Sequence, residues 1–262
     1  MNFRAKRVVV KIGSSALLDA RGDLDLLLMK RIARQIDLLE NQGVKVALVS
    51  SGAVVSGKNL LKKQYDVDEK SPAKKVSIQA LASIGQPLLH EAWSRAFNFR
   101  AIRRPTAQVL FGEKPQGHGD VVLELMDKGY IPIINANDST NSYETEQLLQ
   151  EADNDKLATD VALAIDAEIL FFLTDVDGVR NAKGKMLSFI HSKKSDADYK
   201  IVLEEASAAG RGGMISKLRW ARYFAEKNKV AVIANVKQQG VIVKFVANHS
   251  RKNIGTEVRN SL

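Results

Sequence analysis

Four short apolar runs constrain the fold of this chain most, because each stops abruptly in small, polar or charged residues. Arg7-Val8-Val9-Val10 leads into Lys11-Ile12-Gly13-Ser14-Ser15, and Val44 to Val49 into Ser50-Ser51-Gly52. Ile131-Pro132-Ile133-Ile134 leads into Asn135-Ala136-Asn137-Asp138, and Ile169 to Leu173 into Thr174-Asp175. β-Branched and aromatic runs of this length between helical segments read as buried parallel strands. In an open α/β sheet, ligands sit just beyond the carboxyl ends of such strands. The sequence therefore lines one rim with a lysine, glycines, hydroxyls and carboxylates, a setting for an anionic ligand and for enzyme chemistry.

Between these runs the spacing turns helical. Leu27, Leu28, Ile32, Ile36 and Leu39 predict a helix over residues 24–40 that stops near Gly43. Further helices are expected from Gly52-Ala53 onward, over 76–97 with a Gly-Gln-Pro interruption at 85–87, and over 121–128, 155–165 and 215–227. Residues 99–103, 108–111, 230–235 and 241–246 read as additional strands, and 183–199 as a loop or hairpin. No repeat, low-complexity tract or linker divides the 262 residues. The alternation predicts one α/β domain over residues 1–262, a three-layer αβα sandwich on a mainly parallel open sheet.

Composition narrows the function. The absence of cysteine excludes disulfides, zinc–cysteine sites and cysteine nucleophiles, and fits a reducing, cytoplasmic setting. Arg4, Lys6 and Arg7 precede an apolar run, but Lys11 breaks it early, so the segment reads as a strand rather than a signal peptide. The most apolar stretch, 157–173, carries Asp160, Asp166 and Glu168, which argues against a membrane span. The net charge of +9 is spread over scattered pairs such as Lys62-Lys63, Lys74-Lys75 and Arg103-Arg104, without interleaved aromatics. That pattern reads as a solvated basic surface suited to small anions, and argues against nucleic acid as a partner.

The motifs point to phosphate chemistry. In Lys11-Ile12-Gly13-Ser14-Ser15 a cation adjoins a small-residue turn whose backbone can approach a phosphate, although a lysine at a strand end is commonly solvated. Gly210-Arg211-Gly212-Gly213-Met214-Ile215-Ser216-Lys217 is a glycine-rich loop opening a helix. The helix dipole disfavours a lysine in the first turns, so Lys217 is read as facing an anion. Gly52 to Asn59 has Walker A spacing, but Asn59 stands where Ser or Thr would hold magnesium, so the segment reads as a core-packing helix. Asp175-Val176-Asp177-Gly178 fails as a calcium loop because its first ligand position falls on Leu173.

Asn135-Ala136-Asn137-Asp138 and Asp153-Asn154-Asp155 have three open readings: binding an α-amino group, orienting a lysine, or capping helices. His90, His118, His191 and His249 show neither metal-ligand spacing nor a nucleophile partner.

Taken in order, these motifs together with Ile84-Gly85-Gln86-Pro87 resemble the amino-acid kinase family over nearly the whole chain, ending at Ile254-Gly255-Thr256. The resemblance is to the short, kinase-domain-only form without the C-terminal PUA-type domain of RNA-modification proteins. It implies transfer of the ATP γ-phosphoryl group to the side-chain carboxylate of L-glutamate, giving glutamyl 5-phosphate, the first step of proline synthesis. By the same resemblance Lys11 and Lys217 would neutralise the moving phosphoryl group, and Asp155 would hold the two lysines. Ser51, Asp138 and Asn154 would bind glutamate. Gly13, Ser14, Thr174, Asp175, Gly212, Gly213 and Met214, with both lysines, would bind ATP. Magnesium would be carried mainly by the ATP phosphates, with no metal ligands from the protein. A homo-oligomer, dimer or tetramer, is also implied.

The chain departs from the family pattern at Ala136, where Asn-Glu-Asn-Asp has glutamate, and at Arg211, where Gly-Thr-Gly-Gly has threonine. The loop at 112–119 is short, the segment 142–152 is long, and no Asp-Pro follows Asp175. The alternatives are a related kinase with another small acid or phosphate acceptor, and a nucleotide or amino-acid sensor without turnover.

Overall fold

The computed structural model describes residues 5–65, 76–112, 118–140, 152–201, 213–247 and 254–260. Among these residues eight strands form one sheet: β1 (Arg7–Ile12), β2 (Lys45–Ser50), β3 (Thr106–Phe111), β4 (Ile131–Ala136), β5 (Ile169–Thr174), β6 (Phe189–His191), β7 (Val230–Asn235) and β8 (Thr256–Arg259). Their order is β3-β4-β2-β1-β5-β7-β8-β6. Every pairing is parallel except β7 with β8. Among the described residues seven α-helices accompany them: α1 (Leu26–Glu40), α2 (Ala53–Tyr65), α3 (Ile78–Phe97), α4 (His118–Asp127), α5 (Ala152–Ala164), α6 (Met214–Glu226) and α7 (Val241–Val246).

Alternation along β1 sorts the core. Val8, Val10 and Ile12 pack with α1, α3 and α7, whereas Val9 packs with α4, α5 and α6 on the other face. Successive strand side chains point to opposite faces, so Lys11 shares the face of Val9 and is aimed at α5 and α6. β1 is paired on both sides, Ile12 standing opposite Ser50 of β2 and Leu173 of β5. The rim beyond these residues is the one the apolar runs predict.

The three-layer parallel architecture matches the expectation, and several local readings are corrected. Residues 241–246 form a helix, not a strand. Their β-branched composition favours a strand, but Val241, Ile242, Phe245 and Val246 are the buried positions, a helical spacing that the core selects. Residues 99–103 make turns, with the Ile102 N–H donating to the Phe99 carbonyl, and the strand starts at Thr106. Helix α3 runs unbroken through Pro87. The loop region 183–199 contains β6, and β8 was not anticipated. Its entry needs Gly255, at φ 106°, because a Cβ there would lie 2.3 Å from the Ile233 carbonyl oxygen.

The Walker-like segment is indeed a packing helix. A Cβ on Gly57 would fall 2.0 Å from the Leu81 carbonyl oxygen, and one on Gly85 only 1.8 Å from that of Ala53. These two glycines let α2 and α3 touch backbone to backbone, which accounts for Gly57 without a phosphate.

Candidate active site

Three charged side chains from distant parts of the sequence meet under the rim. The Lys11 Nζ lies 2.6 Å from Asp155 Oδ1, and the Lys217 Nζ lies 3.5 Å from Asp155 Oδ2. The Asp155 side chain is fully buried, and those of Lys11 and Lys217 are 3% and 12% exposed. Lys11 is thus not the solvated strand-end lysine that its position alone suggests. Burying such charges is costly unless they are paired, and Asp155 supplies the counter-charge for both ammonium groups. Within this trio two cations share one carboxylate.

Local structure puts each group there. Asp155 is in the first turn of α5, where a carboxylate is favoured by the helix dipole. Because α5 starts at Ala152, Asn154 lies inside that turn and is not the helix cap. Lys217 is in the first turn of α6, whose Leu218, Ala221, Phe224 and Ala225 are buried and fix its rotation. The N-terminal turns of α5 and α6 therefore flank the lysines, a favourable setting for an anion. Gly13 lies beside the Lys11 ammonium, which would be 3.8 Å from a Cβ built at that position, an ordinary contact distance.

A second group sits beside the first. The Asn154 Nδ2 donates to the Ser51 Oγ at 3.0 Å, joining the end of β2 to α5. The Asn154 Oδ1 is buried without a hydrogen-bond partner among the described residues. Asp138 is half-buried in the turn after β4. Ala136 is 7% exposed, on the α4–α5–α6 face with Ile134.

On the other side of β1, Thr174 ends β5, its Oγ1 donating to Asp175 Oδ1 at 3.0 Å, with Asp175 exposed. The Asn235 Nδ2 at the end of β7 donates to Asp177 Oδ1 at 2.9 Å and to the Asp175 carbonyl at 3.3 Å. Ser14 follows Gly13 into a single turn of 3-10 helix. Gly213 and Met214 open α6, whereas Gly212 and Arg211 lie outside the described residues, as does 142–151. Among the described residues, no group of three or more His, Cys, Asp and Glu is placed to hold a metal ion.

Sequence reasoning assigned no role to a buried amide pair behind the rim. The Asn135 Nδ2 donates to the Gln86 Oε1 at 2.8 Å, and the Asn135 Oδ1 accepts from the Ala136 N–H at 2.9 Å. A glutamine inside the apolar face of a helix is the signal that could have found it.

The sequence profile of the Amino acid kinase family matches residues 6–235. The glutamate 5-kinase of Caldanaerobacter subterraneus subsp. tengcongensis is 34% identical, over 95% of this chain and 67% of its own length. The glutamate 5-kinase of Enterococcus faecalis is 30% identical, over 97% of this chain and 94% of its own. Among solved structures, carbamate kinase from Giardia lamblia bound to AMP-PNP superposes with a TM-score of 0.70. It is 19% identical, over 98% of this chain and 99% of that one, a likeness of fold.

Proposed function

The chain belongs to the amino acid kinase family, and we propose that the buried Lys11–Asp155–Lys217 group is the centre at which it phosphorylates glutamate. The protein is an ATP-dependent kinase. It transfers the γ-phosphoryl group to the side-chain carboxylate of L-glutamate, the reaction named for its glutamate 5-kinase relatives and the entry step to proline.

The single observation that carries the site is one buried carboxylate fixing two ammonium groups beside two helix N-termini. A glutamate carboxylate oxygen attacks the γ-phosphorus, the bond to the β-phosphate oxygen breaks, and ADP leaves with the bonding electron pair. No side chain of the protein needs to act as nucleophile. Charge on the transferring oxygens is met by Lys11 and Lys217, and positioning with electrostatic stabilisation supplies most of the rate. Magnesium bound to the ATP phosphates would add further charge neutralisation, while the chain's own cationic contribution is the two lysines.

In this reading Ser51, Asp138 and Asn154 hold the amino acid, Asp138 as partner for its ammonium. The Asn154 Oδ1, buried without a partner among the described residues, supports this, since a buried acceptor without a donor leaves free energy for a ligand to recover. Gly13, Ser14, Thr174, Asp175, Gly212, Gly213 and Met214 hold the nucleotide. The proposal includes a single domain over residues 1–262, a cytoplasmic location and a homo-oligomer. None of the described helices is long and apolar enough to cross a membrane.

ADP release from Mg·ATP with L-glutamate, beside aspartate, N-acetylglutamate, carbamate and UMP, tests the reading, with γ-glutamyl phosphate trapped as the hydroxamate. A glutamate-dependent signal with hydroxamate is the expected result. Release with another acceptor alone would move the substrate, and silence with all of them in a sample that binds ATP would favour a sensor.

A further inference from the structure

Helix α3 contributes nothing to the charged group, yet it touches both strands that lead to the acceptor residues. Trp93 and Gln86 are seven residues apart, two helical turns, and so share one face of α3. The Trp93 Nε1 donates to the Ser50 Oγ at 2.8 Å, and the Gln86 Oε1 accepts from the Asn135 Nδ2 at the same distance. Ser50 is the last residue of β2, directly before Ser51. Asn135 lies three residues before Asp138. Both contacts are buried, and Gln86 and Ser50 are 8% and 0% exposed. Gly85 adds a third attachment, its missing Cβ letting α3 close onto Ala53, two residues after Ser51.

We propose that Gln86 and Trp93 are positioning residues that set the acceptor side of the site through Asn135 and Ser50. Three successive attachments of one helix fix the ends of β2 and β4 and the start of α2, but leave β5 and β7 alone. The Gln86 Nε2 has no hydrogen-bond partner among the described residues although it is buried. A residue retained only for packing would do better as methionine or leucine there, since it would bury no unpaired N–H. The amide is explained by what its oxygen does for Asn135. That side chain in turn closes on the Ala136 N–H and shapes the departure of the chain towards Asp138. The proposal rests on glutamate being the acceptor.

Steady-state kinetics of the full chain, wild type beside Gln86→Met and Trp93→Phe, tests it. Gln86→Met is expected to raise the glutamate KM about five- to fifty-fold while the ATP KM stays within about two-fold. Trp93→Phe acts in the same direction and decides the matter if Gln86→Met does not fold. Unchanged constants, or a parallel rise in both KM values, would overturn the proposal with the acceptor reading intact. Absence of any glutamate-dependent turnover in the wild type would overturn both, and is visible before any variant is made.

Discussion

Lys11 and Asp155 form a 2.6 Å ion pair, the lysine side chain 3% exposed and the aspartate side chain not at all. Removing one partner from such a pair leaves the other charged, buried and uncompensated. Asp155→Asn is therefore expected to lose about 3–5 kcal/mol of stability along with turnover. Urea unfolding checks the first and ADP release the second, and a variant as stable as the wild type would show that the pair is not structural.

Lys217 is the more accessible lysine and sits 3.5 Å from the shared carboxylate. Lys217→Ala should lower kcat by about 10²–10³ with a melting temperature close to wild type, by analogy with other preorganised electrostatic groups. Near-normal turnover would remove Lys217 from the site.

Asp138, in the turn after β4, is assigned to the amino acid and not to the nucleotide. Asp138→Asn is expected to raise the glutamate KM by about ten-fold or more, as loss of a charged hydrogen bond does, and to leave the ATP KM nearly unchanged. An unchanged glutamate KM would reject the ammonium contact.

The contact between α2 and α3 gives a prediction about stability alone. A Cβ at Gly85 would meet the Ala53 carbonyl oxygen at 1.8 Å, whereas one at exposed Gly112 would meet nothing within 4 Å. Gly85→Ala should cost about 3 kcal/mol or more, and Gly112→Ala less than about 1 kcal/mol in either direction. Thermal unfolding of the two variants side by side makes the comparison, and equal losses would contradict the close helix crossing.

Glu40 supplies a pH dependence. Burial pushes its carboxyl above the ordinary value of 4.5, opposed by the hydrogen bond from the Val46 N–H and by Lys45 and Arg104. Above 4.5 and up to its raised pKa the folded chain binds more protons than the unfolded one. The contribution of this group is therefore full below 4.5 and is lost as the pH rises through the folded pKa. Glu40→Gln, which keeps the acceptor for Val46, should melt higher than wild type at pH 7, with the gain shrinking towards pH 4.5. A pH-independent difference would show that desolvation of Glu40 is not the cause.

The apolar runs made the sheet legible because a buried parallel strand needs a near-continuous apolar stretch, and their abrupt ends marked the rim. Lys11, Ser51 and Thr174 were found that way. Asp155 and Lys217 were legible as motif residues, but the meeting of Lys11 and Lys217 at the Asp155 carboxylate depends on α5 and α6 packing against the same face. No local pattern records that contact. Val241 to Val246 misled because composition speaks for a strand while burial of four positions speaks for a helix. Gln86 and Trp93 carried no signal of their partners, since a hydrogen bond to a strand about 45 residues away leaves no trace in spacing.

The position of β1 between β2 and β5 has a consequence for how chains of this design diversify. In the proposed reading the acceptor residues come from the end of β2 through β4 to the first turn of α5, contiguous in sequence, while the strands from β5 onward lie on the other flank, with β1 shared. A lineage can therefore exchange or drift through its middle segment and acquire a new acceptor while inheriting its first strand and its nucleotide half unchanged. Ala136 lies in that middle segment.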